Sequence, residues 1–252
     1  MKKVVFIPAD KNNIQYAQTC INSLRKFHTE EELPVVIIDE EKVKQLGDPN
    51  FWYRATPIIG KALLKDYDLV IKLDADTLVV GDLSHVWKNE DWDIAVVKNS
   101  NPREDKKYPV RLLDIYPLSY ANCGFVVMKS KPFVEQWLKL CMSNHFQNFQ
   151  YREQDLLNIL IFYFSEPFGG PYKVRFLDDS NKWHGLVWKG YEPQVKLKDN
   201  KLVLEKNAIW PKDEDKELVA WHVAGGNQPN KMNYRLHFKD DVCKRLDELV
   251  KL

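Results

Sequence analysis

The chain has 252 residues, 44% of them apolar, enough for one large α/β domain or two small ones, with the single domain favoured by length. Its 37 lysines and arginines balance 36 aspartates and glutamates, and a net charge of +1 gives no electrostatic case for nucleic acid or an anionic membrane surface. An acidic substrate would have to be met locally, by a site. The longest apolar run, LLNILIFYF, is about half of the roughly 18 residues that a membrane span needs. The opening MKKVVFIPAD is broken by Pro8 and Asp10 too early for a secretory signal. Cys20, Cys123, Cys141 and Cys243 lie in apolar segments without close pairing, the pattern of reduced core thiols. A soluble, cytoplasmic protein is expected.

In chain order, KVVFIPA predicts a first strand, and Ile14, Ala17, Ile21 and Leu24 recur at helical spacing through a helix that ends near His28. PVVIID predicts a second strand, apolar throughout as when both faces are covered. A helix over residues 54–65 leads to a third strand, LVIKLDAD, and WDIAVVKN makes a fourth. This β-α-β-α-β opening points to a largely parallel sheet of nucleotide-binding type. Residues 99–119, with three prolines and a charge cluster, read as a loop or lid. YANCGFVVMK resumes a strand, and KPFVEQWLKLCMSNHF and REQDLLNILIFYF predict helices. VKLKDNKLVLEK alternates about an Asp-Asn turn and reads as an exposed hairpin. A last helix from about Asp240 sets Val242, Leu246, Leu249 and Val250 on one side. No repeat, low-complexity tract or domain boundary stands out, so one domain over 1–252 is expected.

Asp74 and Asp76 end the third apolar run. Alternate strand residues share a side, so the two carboxylates can aim at one point, at the strand end where open α/β folds bind ligands. Close carboxylates repel unless a proton or cation is shared, and a divalent ion completed by a diphosphate is the simplest resolution. An isolated Asp-x-Asp is more often an exposed strand end, but here TLVVGDL continues the apolar character, and an unpaired carboxylate inside a packed region is costly.

LDADTL is similar to the first motif of haloacid-dehalogenase-like phosphatases, which would make Asp74 a nucleophile. Thr77 follows directly, however, without that family's intervening glycine, and two β-α units come first. The stronger resemblance is to GT-A glycosyltransferases of the family-8-like group, which includes glycogenin and bacterial lipooligosaccharide galactosyltransferases. Its motifs occur in order: IPADKNNIQYAQTCINSL resembles the uridine-holding opening, and LDADTLVVGDLSHVW the metal motif and its tail. NCGFVVM resembles the Asn-x-Gly strand, REQDLLNIL the Asp-Gln-Asp-x-Leu-Asn helix start, and WHVAGGNQPN the His-x-x-Gly-x-x-Lys-Pro-Trp ending.

The resemblance implies a Rossmann-like GT-A fold, a mostly parallel sheet flanked by helices, that moves a hexose from a UDP-sugar to a carbohydrate or glycoconjugate acceptor. It assigns Asp74, Asp76 and His222 to a divalent ion, manganese before magnesium for a mixed oxygen and imidazole set. Ala9, Asp10 and Asn12 would hold the uridine, although Asn12 or Asn13 could equally cap the following helix. Ala75 and Asn122 would line the donor. Gly124 would allow close approach of backbone to sugar, or simply mark a strand bulge. Arg54, ahead of Lys61, is the basic group expected near the phosphates. Glu153, Gln154 and Asp155 would lie beside the anomeric carbon, with Gln154 opposite the leaving group; otherwise the trio is an acidic first helical turn. Gly225, in the turn after His222, would bring amides to phosphate. Gln228, Pro229 and Asn230 stand in place of Lys-Pro-Trp, which leaves Lys231 as substitute and opens the alternative of a sugar-nucleotide-binding protein without turnover. Residues 181–193 match no family motif; Trp183, Trp188 and Tyr191 there could stack on an acceptor sugar or pack in a core.

Overall fold

Val4 to Ile7 of strand β1 (Lys3–Pro8) are all buried, and they part by alternation: Val4 and Phe6 enter one core, Val5 and Ile7 another. A strand with two apolar faces needs a layer on each. Helix α1 (Ile14–Leu24) covers the second face with Ala17, Cys20 and Leu24. After β2 (Val35–Ile38) and α2 (Glu40–Leu46), helix α3 (Ala55–Leu63) covers the first face with Ala55 and Ile59. Strand β3 (Leu69–Leu73) then returns beside β1, parallel to it, as β2 does on the other side. The predicted β-α-β-α-β opening is therefore present.

The computed structural model describes residues 1–46, 52, 54–88, 91–98, 120–149, 151–166, 169–180, 182–184, 194–205, 214–222 and 239–250. The proline-rich 99–119 stretch, Trp188, Tyr191, Gly225, Gln228, Pro229, Asn230 and Lys231 lie outside the described residues, as does the side chain of Val250. Among the described residues no helix is long and apolar enough to cross a membrane.

Strands β4 (Thr77–Val79), β5 (Ile94–Lys98) and β6 (Ala121–Met128) follow, then helices α4 (Lys131–Cys141) and α5 (Glu153–Phe164) and strand β7 (Val174–Phe176). The main sheet has the order β2-β1-β3-β6-β5-β7, parallel except for β6, which is antiparallel to both neighbours. Because β6 is reversed, its first residues lie at the carboxyl ends of β3 and β5. Helix α4 starts where Ser130 accepts a hydrogen bond from the Phe133 N–H (3.3 Å) and Pro132 occupies the first turn. Phe133, Val134 and Trp137 of α4 and Leu157, Leu160 and Ile161 of α5 complete the core that Val4 begins.

The Asp-Asn hairpin is more than an exposed ribbon. Asp199 and Asn200 both have positive φ (48° and 60°), as a two-residue turn between β9 (Val195–Lys198) and β10 (Lys201–Leu204) requires. These strands join β8 (Lys182–Trp183) and β11 (Lys216–Leu218) in a second sheet of order β8-β11-β10-β9. Val195, Leu202, Leu204 and Leu218 pack on Val242, Cys243, Leu246 and Leu249 of α6 (Asp240–Val250). Alternation in the hairpin therefore reflects one face on a core and one in water. Trp183 belongs to this core, which settles its two readings in favour of packing. All four cysteines are free and buried.

Strand β12 (Ala220–His222) pairs antiparallel with β4, with His222 opposite Thr77. The ribbon forms a wall between cores: Val79 and Ala220 face the main sheet, whereas Leu78 and Trp221 face the second.

Candidate active site

Phe6 stands opposite Lys72 in the β1–β3 ladder, so two residues further Pro8 and Asp74 leave the sheet side by side. The sheet order turns outward on either side at this point, to β2 from β1 and to β6 from β3, and such a crevice is where open sheets hold ligands.

The aspartates are not part of the strand. β3 ends at Leu73, and Asp74 opens a tight turn in which the Thr77 N–H donates to the Asp74 carbonyl (3.0 Å). The Asp74 N–H donates in turn to the Gly124 carbonyl on β6 (2.9 Å). Convergence therefore comes from the turn and not from strand alternation. The β4–β12 ribbon supplies the third group: His222 Nε2 lies 3.1 Å from Asp74 Oδ2 and 3.2 Å from Asp76 Oδ1. One ligand atom from each of Asp74, Asp76 and His222 fits within 4.8 Å of the others. Ala75, between the acids, is buried at 8% exposure.

Gly124 explains how the imidazole fits. A Cβ there would stand 2.1 Å from His222 Nδ1 and 2.7 Å from Asn122 Oδ1. In the structure the His222 ring makes a close approach to this glycine. Asn122, buried, accepts from the Gly124 N–H (2.6 Å) where the β5–β6 register jumps between Val96 and Val97. The glycine is a bulge residue as well.

Lys72 was not among the residues singled out by motif. It is 4% exposed in the middle of β3, and its ammonium donates to the Asp74 carboxylate and the Cys123 carbonyl. A lysine inside the apolar run LVIKL was a readable signal, because a buried ammonium needs a partner. Burial raises the Asp74 pKa, but Lys72 and His222 outweigh it and hold the carboxyl well below the usual range. Burial likewise opposes a charged His222, yet the Asp76 charge and hydrogen bonds to both acids lift it to about 9. Without an added ion the two acids are balanced by Lys72 and a protonated His222.

Two carboxylates and one imidazole converging on one point fit a divalent cation, which would displace the His222 proton. Manganese affinity is accordingly expected to rise about tenfold per pH unit between 6 and 9, and a flat profile in an EPR titration would contradict this. Lys72→Met is expected to cost about 3 kcal/mol in urea denaturation, the scale for breaking a buried ion pair.

The start of α5 closes the site against β6. Asn158 pairs with the Ala121 backbone at both ends, accepting from its N–H (2.7 Å) and donating to its carbonyl (2.9 Å). Gln154 Oε1 accepts from the Cys123 N–H (2.9 Å), and its Nε2 donates to the Tyr120 hydroxyl (3.4 Å). Asp155 is 1% exposed and accepts from the Tyr120 hydroxyl (2.6 Å) and the Tyr151 N–H (2.7 Å). Arg152, just before the trio, has φ 49° and ψ −117°, a sparsely populated conformation whose strain the surrounding contacts hold. Cys123 thus joins the two halves, its carbonyl on Lys72 and its N–H on Gln154.

Glu153 is engaged elsewhere: it accepts from the hydroxyl (2.6 Å) and N–H (3.2 Å) of Thr56 in the first turn of α3. Burial pushes its pKa up to about 7 in spite of Lys72 and Thr56. An acid raised in the folded state is less stable ionised there than in the unfolded chain. Stability is therefore lost as pH rises from about 4.5 to about 7, by about 3 kcal/mol. Glu153→Gln should remove that part of the pH dependence, read as converging urea midpoints at pH 5 and 7.5.

At the end of β1, the buried Ala9 donates to the Ile38 carbonyl (3.0 Å). Asp10 Oδ1 accepts from the N–H groups of Asn12 (2.9 Å) and Asn13 (3.0 Å) and from Asn13 Nδ2 (2.8 Å). Asp10 shapes the loop, and Asn13 at the N-cap of α1 makes no side-chain capping bond. Asn12 is exposed. Arg54 lies over the Phe146 ring (4.5 Å) and against Met142 Sδ (3.3 Å), and Lys61 pairs with Glu135 (3.5 Å) on the surface. Lys72 is bound to Asp74.

The chain has the GT-A fold, as its likeness to solved glycosyltransferases shows, with the sheet order and reversed β6 described above. The chain is similar to the galactosyltransferase LgtC solved with donor and acceptor sugar analogues, at 17% identity, covering 98% of this chain and 95% of that one with a TM-score of 0.58. It is similar to a glycosyltransferase involved in glycosylation of the major capsid of PBCV-1, at 13% identity, 99% and 98% coverage and a TM-score of 0.55. The bifunctional glycosyltransferase WbbM in its apo form matches at 14% identity over 97% of this chain and 52% of its own, with a TM-score of 0.57. No protein-family model and no curated protein matches the sequence.

Proposed function

We propose that this protein is a glycosyltransferase that moves a hexose from a UDP-sugar to a hydroxyl of a carbohydrate or glycoconjugate acceptor. The convergence of Asp74, Asp76 and His222 at the carboxyl end of β3, beside the Asp10 loop, carries the reading. The galactosyltransferase of similar fold holds donor and acceptor sugar analogues, which supports a nucleotide-sugar donor and a sugar acceptor.

In this reading Ala9, Asp10 and Asn12 receive the uridine, and Asp74, Asp76 and His222 hold manganese or, second, magnesium. The ion, when bound, supplies charge neutralisation to the leaving diphosphate. Lys72 keeps Asp74 ionised and oriented. Ala75 and Asn122 line the donor, with Gly225 and Lys231 beyond the described residues as phosphate contacts. Gln154, fixed between Cys123 and Tyr120, faces the sugar, with Glu153 and Asp155 holding the start of α5. An amide is a feeble nucleophile, so a covalent glycosyl-enzyme is not favoured. Retention follows if the leaving phosphate oxygen takes the acceptor proton on the face it departs from. The buried free cysteines support a reducing, cytoplasmic setting.

The test is a panel of UDP- and GDP-sugars with manganese, scored by melting temperature and by nucleotide release. UDP-sugars should raise the melting temperature and be slowly hydrolysed. Absence of both overturns the proposal, and a thermal shift without release leaves a binding protein instead. NMR of the first-formed glycoside tests retention, which an inverted linkage would rule out.

A further inference from the structure

A second convergence of ligating groups lies outside this site. His85 sits in the turn Ser84–Val86 after β4, and His184 follows β8 of the second sheet. Their Nε2 atoms face one another at 2.6 Å, with ring centroids 4.8 Å apart. His184 is fully buried and His85 half-buried.

The outer nitrogens decide what the inner ones can be. His85 Nδ1 lies 3.1 Å from the Asp82 carbonyl oxygen, which can only accept, so Nδ1 carries the proton. His184 Nδ1 lies 3.6 Å from Oδ1 of the buried Asp178, whose Oδ2 accepts from the Lys98 N–H (2.7 Å). A lone pair turned toward that carboxylate would be repelled, so this Nδ1 carries its proton too. Each neutral ring then presents a lone pair at Nε2, and two lone pairs at this distance repel. A cation between them resolves the conflict.

A proton is the poorer cation. Burial above all, and then Lys182 and Arg175, work against a charged His184, with Asp178 only partly compensating. Burial, His184 and Lys182 push His85 down to about 3. A metal, by contrast, binds the neutral imidazole. The outer groups are of the kinds that orient metal-bound histidines, a backbone carbonyl hydrogen-bonded to His85 at 3.1 Å and a carboxylate facing His184 across 3.6 Å, longer than a hydrogen bond.

We propose that His85 and His184 form a second metal site, for a divalent transition cation of the zinc, nickel or copper class, with water completing its shell. Tetrahedral bonds to zinc set the nitrogens about 3.3 Å apart, so the rings part by roughly 0.7 Å on loading. His85, half-buried at a turn, is the ring that would move, and its exposed side is where water ligands would enter. The ion would clip the turn after β4 to the second sheet, behind Phe125, on whose ring His184 packs edge-on (5.5 Å). The inference does not depend on the proposed transferase activity.

Zinc is the probe, titrated against a chromophoric chelator, with wild type compared with His85→Gln and His85→Asn. Both replacements lie at a partly exposed turn and leave the buried ring in place. Wild type should take up one zinc equivalent more than either variant, and zinc should raise its melting temperature more. Equal uptake by all three proteins would overturn the site, leaving a shared proton between the rings. Uptake lost in the variants with no tetrahedral cobalt absorption in the cobalt-loaded wild type would also overturn it.

Discussion

Gly124→Ala is expected to cost about 100-fold in manganese affinity while leaving the protein folded. The added methyl would lie 2.1 Å from His222 Nδ1 and 2.2 Å from Cε1, inside any van der Waals contact. The β6 backbone cannot retreat easily, because the Gly124 carbonyl accepts from the Asp74 N–H and its N–H donates to Asn122. The ring is the part that yields. Overpacking of this kind costs about 1–3 kcal/mol, within what a domain of this size tolerates. Moving the ring takes Nε2 away from both aspartates, and lesser disturbances around metal ligands already cost about 10–100-fold. Manganese EPR and the melting temperature measure the two effects separately. Unchanged manganese affinity would show that His222 is not a ligand.

Asp76→Ala is expected to abolish the metal-dependent part of the stabilisation by a UDP-sugar, about 3 kcal/mol when ligand is at 100 times its Kd. It is the cleaner of the two aspartate replacements. Asp74 balances Lys72, which is 4% exposed, and removing it leaves that ammonium buried without its carboxylate, at about 3–5 kcal/mol. The buried cation beside Asp76 is His222, which it shares with Asp74 (3.2 and 3.1 Å), so Asp74 remains to balance that ring when Asp76 is gone. Asp74→Ala should therefore unfold at much lower urea, whereas Asp76→Ala should melt near wild type and lose only the metal response. A shift that persists in Asp76→Ala would sink the metal assignment. Equal destabilisation by both replacements would contradict the role given to Lys72.

Much of this site was legible in local sequence. The Asp-x-Asp at the end of an apolar run marked the centre, and the Asp10 loop, the Asn-x-Gly strand and the Glu-Gln-Asp helix start all fall at the same end of the sheet. The mechanism of convergence was misread: alternation along a strand was expected, and a turn after Leu73 does the work. Attention went to Arg54, which lies over Phe146, while Lys72 in the strand itself, bound to Asp74, went unremarked. Motif reasoning looks to loops for charged groups, and only the cost of burying an ammonium draws attention to one in a core strand.

Periodicity and composition by themselves determined the β-α units and the position of the paired acids, because these depend on residues within a few positions of one another. What the tertiary structure decided are the pairings between distant segments. His222 meets Asp74 and Asp76 because β12 pairs with β4, Gly124 is small because that ring passes over it, and His85 faces His184 because the second sheet packs behind the first. Such contacts arise when chain segments far apart in sequence bury a common surface, and no local pattern encodes which segments those will be.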